Sequence, residues 1–173
     1  ALALMDHPVS LVAALLLEAH PGLSVSLSSR VCPEFREYLR ASTTVINAAI
    51  RPVVGSYLRH IQEHLEQQGM AAALLVMQSN GGVLTFETAE ERPVYMVESG
   101  PAAGVMAARY VASTLGQADA VAFDMGGTTA KAGLILGGEP TVTKDYEVGA
   151  QALPGLGQSR GSGYPIRTPV IDL

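Results

Sequence analysis

Apolar and polar positions follow two different periods along this chain, and the switches between them mark its elements. Ser10 to His20 is apolar on all sides and runs straight into Pro21-Gly22, which predicts a helix packed against other structure. Leu23 to Ser28 alternates strictly between apolar residues and serine, the period of a strand. Glu34 to Arg40 predicts a short helical turn. Ser42-Thr43-Thr44 then offers capping hydroxyls for a long helix that runs to about Gln68 and is closed by Gly69. Pro52 falls within its early turns, where a missing N–H favours a kink.

The second half changes character. Ala71 to Met77 predicts a buried strand, with the polar loop Gln78-Ser79-Asn80-Gly81-Gly82 at the end where ligands gather in α/β folds. A turn without a ligand explains that loop equally well. Glu87 to Arg92 predicts a short helix and Val94 to Val97 a short strand. Ser99-Gly100-Pro101 opens a helix to about Leu115, with Pro101 at its first position. The small residues Ala102, Ala103, Gly104, Ala107 and Ala108 let this helix lie close to a sheet, and its N-terminus suits an anion. Close packing alone is the simpler account of the same residues. Three strand patterns follow at 120–124, 129–136 and 140–147. The turns between them are too short for a helical crossover, so they predict an antiparallel meander. Residues 151–164 predict a glycine-rich loop, and Thr168 to Asp172 a final short strand. The class is α/β.

Composition narrows the setting. The chain has 173 residues, enough for one ordinary domain or one domain with a piece of another. Apolar residues make up 48% and charged residues 16%, which predicts a sizeable core rather than disorder. The net charge of −5, without a basic patch, argues against nucleic acid as a partner. One cysteine, Cys32, can form neither an internal disulfide nor a thiolate metal site, and an intracellular, cytoplasmic protein is the simplest reading. The apolar run Leu11 to Leu17 is too short to span a bilayer, and Asp6 stands where a signal peptide would carry Lys or Arg, so no membrane role is expected. Ala1 and Ile171-Asp172-Leu173 both fall inside ordinary patterns. The chain is therefore expected to be an internal segment of a longer polypeptide.

The chemistry concentrates at Phe123-Asp124-Met125-Gly126-Gly127-Thr128-Thr129-Ala130-Lys131. A buried strand ends on the carboxylate of Asp124. Gly126 and Gly127 follow, expected to take positive φ and to let the backbone approach a ligand. The hydroxyls of Thr128 and Thr129 offer donors to phosphate oxygens. Such a hairpin suits a nucleotide phosphate with a hydrated divalent cation, because hard Mg²⁺ prefers carboxylate, water and phosphate oxygens. Asp124 would hold the metal through a water. An ordinary Gly-Gly hairpin is the plainer alternative. Neither a P-loop nor a dinucleotide-binding glycine pattern is present.

Two other patterns mislead. His60, Glu63 and His64 match H-x-x-E-H, yet at about 100° per residue Val54, Leu58, Ile61 and Leu65 form the buried stripe and both histidines fall on the polar side. Cys32 has no histidine near it in sequence to activate it, so a half-buried structural thiol is expected.

Four segments together resemble the hydantoinase A/5-oxoprolinase family: Ser42-Thr43-Thr44-Val45-Ile46-Asn47-Ala48, Met77 to Gly82, Ser99-Gly100-Pro101-Ala102-Ala103-Gly104-Val105, and Phe123 to Thr129. Their order and approximate spacing also match, from about Leu23 to the last residue, with the 151–164 loop unmatched. The resemblance implies a ribonuclease-H-like α/β domain of the actin-like ATPase superfamily, with a mixed sheet and ATP bound in a cleft between two such domains. Residues 1–40 would be the tail of the preceding domain, and 41–173 a hydantoinase A domain truncated at its C-terminal end. Asp124 to Thr129 would be the second phosphate hairpin, the first lying upstream. The implied ATP and Mg²⁺ contacts are Asp124, Gly126, Gly127, Thr128, Thr129, Lys131, Ser99, Gly100, Asn80, Gly81 and Gly82, with the metal at Asp124.

The implied activity is ATP-dependent opening of a cyclic amide such as a hydantoin or 5-oxoproline, often with a B-type partner subunit. A related branch carboxylates ketones instead. Lys131 stands where many relatives carry Asp, which leaves open whether a metal or a direct Lys–phosphate contact serves that side. The segment alone is expected to be inactive. An actin-like sugar kinase shares such hairpins, but the cysteine-rich zinc loop of one such group is absent and no catalytic Asp follows in a sugar-site pattern. A nucleotide-binding or structural domain without catalysis is the remaining alternative.

Overall fold

A 31-residue helix, α3 (Glu37–Gln67), is the post to which the first half of the chain is tied. The computed structural model describes residues 2–127, 129–149 and 163–173. Ahead of α3 come α1 (Leu2–Ala19) and the single turn α2 (Ser28–Val31). Among the described side chains of α1 only Ala13 is buried, and Leu11, Val12, Leu15, Leu16 and Leu17 are exposed. The expected cover over that helix is therefore not found among the described residues.

Leu23 to Leu27 is not a strand. It runs beside α3, where the Arg51 side chain donates to Val25 O (2.5 Å) and Asn47 Nδ2 donates to Ser26 Oγ (3.1 Å). With those groups engaged by a helix, the serine alternation has no ladder to join. The expected helical turn at 34–40 and the long helix are also one element. Ser42, Thr43 and Thr44 lie inside it, and the hydroxyls of Thr43 and Thr44 donate to Leu39 O and Arg40 O, each at 2.7 Å. Hydroxyls satisfied by the preceding turn are not caps. The helix runs through Pro52 and ends as expected, with Gly69 at φ +77.

The strand β1 (Leu75–Met77) is shorter than its apolar pattern and pairs antiparallel with β2 (Val83–Thr85). The Gln78–Gly82 loop is thus the turn of a hairpin. Thr85 then caps α4 (Phe86–Glu91) by accepting from Thr88 N at 3.3 Å. Pro93 to Met96 is a 3₁₀ turn instead of a strand, with Pro93 setting a helical φ at its first position.

Helix α5 (Ser99–Thr114) packs on β3 (Ala120–Met125) and β4 (Ala130–Leu136). These two strands pair in full register, Ala120 with Ile135 through Met125 with Ala130. Gly137 and Gly138, both at positive φ, turn the chain into β5 (Glu139–Pro140), which completes the antiparallel meander β3-β4-β5. The expected third strand at 140–147 is broken into pieces that change partner. Pro140 has no N–H to extend the ladder. β6 (Val142–Thr143) pairs with β9 (Val170–Ile171), and β7 (Tyr146–Val148) with β8 (Tyr164–Ile166). Every pairing among the described residues is antiparallel.

Two cores result. Ala102, Val105, Ala122, Ile135 and Ile171 are buried between α5 and the meander. Val31, Cys32, Val94 and Ile166 form the second, so α2 and its following residue share a core with β8. No helix of the described residues is long and apolar enough to cross a membrane.

Candidate functional site

The meander and α5 meet in a way that one glycine permits. A Cβ at Gly133 would lie 2.6 Å from Val105 Cγ2, so the helix backbone approaches β4 only because no side chain stands there. From that contact α5 follows β4 along its length. Glu98, at the helix entrance, pairs with Lys131; Val105 meets Gly133; Arg109 Nε donates to Gly138 O at 2.7 Å. The N-terminus of α5 is thereby set against the Asp124–Lys131 end of the hairpin.

Between them lies a cavity of about 240 Å³. Asp124 and Lys131 line it from adjacent strands, where they are register partners, and Pro101 and Gly104 line it from the helix. Asp124 is exposed, and its carboxylate makes no hydrogen bond or ion pair among the described residues. Larger cavities exist, including one of about 500 Å³ at the end of α3, but that one offers only Gln62 and Glu66 as charged or amide side chains. Another, of about 300 Å³ between α1 and α3, is lined by Arg30, Arg51, Glu91 and Arg92, with Arg51 already engaged by Val25 O. The smaller one is the cavity that holds the Asp124–Lys131 pair of the hairpin.

Lys131 does not point away freely. Its ammonium donates to Glu98 Oε2, and Tyr146 Oη donates to Glu98 Oε1 at 3.0 Å. Burial pushes the Tyr146 hydroxyl up to about 12, helped by its bond to the Glu98 carboxylate and by that charge. Neither Glu98 nor Tyr146 stood out in the sequence, and Gly133 was hidden in a strand pattern.

The sequence candidates separate by position. Gly126 N donates to Thr129 O at 3.0 Å and so closes the hairpin tip. Neither Gly126 nor Gly127 takes the positive φ expected of it, and a Cβ at Gly127 would meet nothing within 4 Å. Thr128 lies outside the described residues, as does most of the 151–164 loop. Ser99 and Gly100 form the first turn of α5, with Pro101 third, and a Cβ at Gly100 also meets open space. Asn80, Gly81 and Gly82 are not among the cavity's lining. Asn80 Oδ1 accepts from Gly82 N at 2.9 Å, and Gly81, at φ +84, is packed beneath Met106 and Ile171. That turn supports the middle of α5 instead of facing its N-terminus.

The two misleading patterns resolve as the wheel and the environment imply. His60, Glu63 and His64 are exposed, and Leu58 is buried. Cys32 is buried, its thiol pushed up by burial, with its sulfur 4.0 Å from Arg167 O.

The chain is similar to several known proteins. The family model described as hydantoinase/oxoprolinase matches residues 40–173. An uncharacterised protein of Methanocaldococcus jannaschii is 46% identical over 152 residues, which is 88% of this chain and 22% of that protein. The caprolactamase subunit alpha of Pseudomonas jessenii is 37% identical over 134 residues, 78% of this chain and 19% of the subunit. The crystal structure of the ATP-dependent caprolactamase from that organism superimposes with a TM-score of 0.74 at 33% identity, covering 92% of this chain and 21% of the solved one. Nucleotide-free acetone carboxylase superimposes with a TM-score of 0.67 at 25% identity, covering 84% and 18%. The chain thus spans about a fifth of the length of these relatives. Its fold is the ribonuclease-H-like α/β fold of the actin-like ATPase type.

Proposed function

The chain belongs to the hydantoinase/oxoprolinase family, and from that premise we propose that it forms the phosphate-binding half of an ATP site in an enzyme that opens cyclic amides. The observation that carries this reading is the unpartnered Asp124 beside Lys131, over a cavity faced by the N-terminal turn of α5. The cavity is smaller than the roughly 300–1,000 Å³ of sites that enclose a whole small ligand. It suits a phosphate chain, with the rest of the nucleotide held by parts of the whole protein outside this chain.

An unstrained amide is a poor electrophile. ATP, when bound, supplies the phosphoryl group that turns the amide oxygen into a leaving group. The residues of this chain bind and orient. Asp124 would hold Mg²⁺ through a water, since that hard ion favours such oxygen donors. Ser99 and Gly100 are not among the lining of the cavity, but as the first turn of α5 their N–H groups would meet an anion at its mouth with the positive end of the helix dipole behind them. Gly126, Gly127 and Thr129 lie at the tip, where phosphate oxygens would rest; the Thr128 hydroxyl would be a further donor, and Lys131 would supply the cation. The Asn80-Gly81-Gly82 turn is the least direct member of the set and acts by supporting α5.

A cyclic amide is preferred over a carboxylation substrate because the likeness to the caprolactamase is the stronger of the two. Residues 1–40 belong to the end of a preceding domain, and the catalytic assembly is cytoplasmic and includes a B-type subunit. The chain by itself turns over no substrate.

The test is ATP hydrolysis by the whole protein in the presence of lactam, hydantoin and 5-oxoproline substrates. Asp124→Asn is expected to lower turnover about 10–100-fold, the range for a group acting through a metal-bound water. Its stability should stay within about 0.5 kcal/mol, because the side chain is exposed and unpaired. Wild-type ATPase activity in Asp124→Asn would overturn the assignment.

A further inference from the structure

Glu98 occupies an unusual place. Among the described residues it is one of two non-glycine residues at positive φ, with φ 62 and ψ 20. A left-handed backbone at such a residue is unfavourable and persists only where its surroundings fix it. Here three elements do so. Its carbonyl accepts from Ala102 N at 3.1 Å inside α5, and its carboxylate accepts from Lys131 on β4 and from Tyr146 on β7. The Glu98 and Lys131 side chains are 25% and 29% exposed, so solvent screens the pair less than it screens a surface pair.

We propose that Glu98, held by the Tyr146 hydroxyl, is the positioning residue that fixes Lys131 as the cationic contact for the phosphate chain of ATP. This rests on the ATP reading above. A lysine has four rotatable side-chain bonds and three N–H donors. One donor is engaged by Glu98, and no other partner is present among the described residues. The ammonium is therefore held at Glu98, in the cavity that Asp124 also lines, before any ligand arrives, with donors left for phosphate oxygens. The arrangement carries a cost, since Glu98 and Asp124 together outweigh the single charge of Lys131. A bare phosphate chain is repelled there, and a metal-complexed one is favoured.

Two effects of Glu98 thus have opposite signs on ATP binding. As a negative charge it weakens the attraction, and as a positioning group it strengthens the contact. Calorimetric titration of the whole protein with Mg-ATP separates them, alongside the melting temperature of the nucleotide-free protein. Lys131→Met is expected to weaken binding about tenfold, as for loss of a charge-assisted contact. Glu98→Gln should weaken it about fivefold, although it removes a negative charge. The double variant should bind no more weakly than Lys131→Met alone, because Glu98 acts only through Lys131. Tyr146→Phe keeps the carboxylate and the fold, and should weaken binding about twofold. Affinity unchanged or tighter in Glu98→Gln, or losses that multiply in the double variant, would overturn the proposal while leaving the ATP site standing. Failure of the unaltered protein to bind Mg-ATP would overturn both.

Discussion

Adding one methyl group at Gly133 tests the packing on which the candidate site depends. In Gly133→Ala the new Cβ would lie 2.6 Å from Val105 Cγ2 and 3.4 Å from Leu173 Cδ2. Carbon–carbon contacts settle near 3.5–4.0 Å, so the overlap with Val105 is roughly 1 Å. Val105 is 3% exposed among Ala102, Ala122, Ile135 and Ile171, and it cannot swing into solvent. The helix must move off the sheet or Val105 must leave its rotamer, either costing about 1–3 kcal/mol. Alanine returns about 0.5–1 kcal/mol relative to glycine in a strand, because the unfolded chain is less free. The net loss is about 1–2 kcal/mol, which corresponds to roughly 5–30-fold faster amide exchange. Hydrogen exchange read by mass spectrometry should show this in peptides covering 99–114 and 120–136, with α3 unchanged. Val105→Ala should recover about 1 kcal/mol when added to Gly133→Ala. Gly127→Ala, with nothing within 4 Å, is the silent control. Unchanged protection in Gly133→Ala, or the same acceleration in every peptide, would refute the close approach.

Other sites give sharper contrasts. Asn47 is fully buried; it donates to Ser26 Oγ and Glu91 O and accepts from Val94 N, so Asn47→Ala should cost about 2–4 kcal/mol in denaturant unfolding. Gly81→Ala meets both a φ of +84 and Met106 Sδ at 2.7 Å, and should cost about 1–2 kcal/mol, the methionine yielding part of the space. The Tyr146 hydroxyl, pushed up to about 12, has a folded value above its unfolded one of about 10. Its contribution is complete below pH ~10 and is lost as pH rises through ~12; after screening it amounts to about 1 kcal/mol, and Tyr146→Phe should remove that alkaline limb.

The elements legible in the sequence were those whose partners are near in the chain. β3 and β4 pair across a short tip, and α5 precedes them directly, so the apolar pattern sufficed even though Gly126 and Gly127 do not take the positive φ expected of them. Legibility failed where the partner is remote. Nothing around Tyr146 announces a bond to Glu98, 48 residues earlier, because that contact depends on the chain leaving the meander after Pro140 and pairing β7 with β8. Leu23 to Leu27 has a strand's alternation, but the helix side chains of Asn47 and Arg51 reach it first. Gly133 is different. A lone glycine within a strand pattern is a readable sign of close backbone approach.

The segments that carry the family resemblance divide physically into frame and chemistry. In Ser42 to Ala48, Asn47 commits its amide to three partners, and the Thr43 hydroxyl donates to Leu39 O while accepting from Arg167 N. In Met77 to Gly82, the Ser79 hydroxyl donates to Tyr95 O at 2.6 Å and its carbonyl accepts from Ile171 N. These buried polar atoms hold elements together, and substitution there acts on ligand binding only by way of the fold. Ser99 to Val105 is mixed: Ala102 and Val105 are core, while Gly100 borders open space. Phe123 to Thr129 ends differently. Ala122, just before it, is packed under α5, but Asp124, Gly126 and Gly127 are exposed, and Asp124 has no partner. An unpartnered carboxylate at the open end of a hairpin contributes almost nothing to stability, so under the proposed reading its substitution acts on binding alone. Losses of function without loss of stability should therefore map to the hairpin tip and Lys131, and losses of both to Asn47 and Ser79.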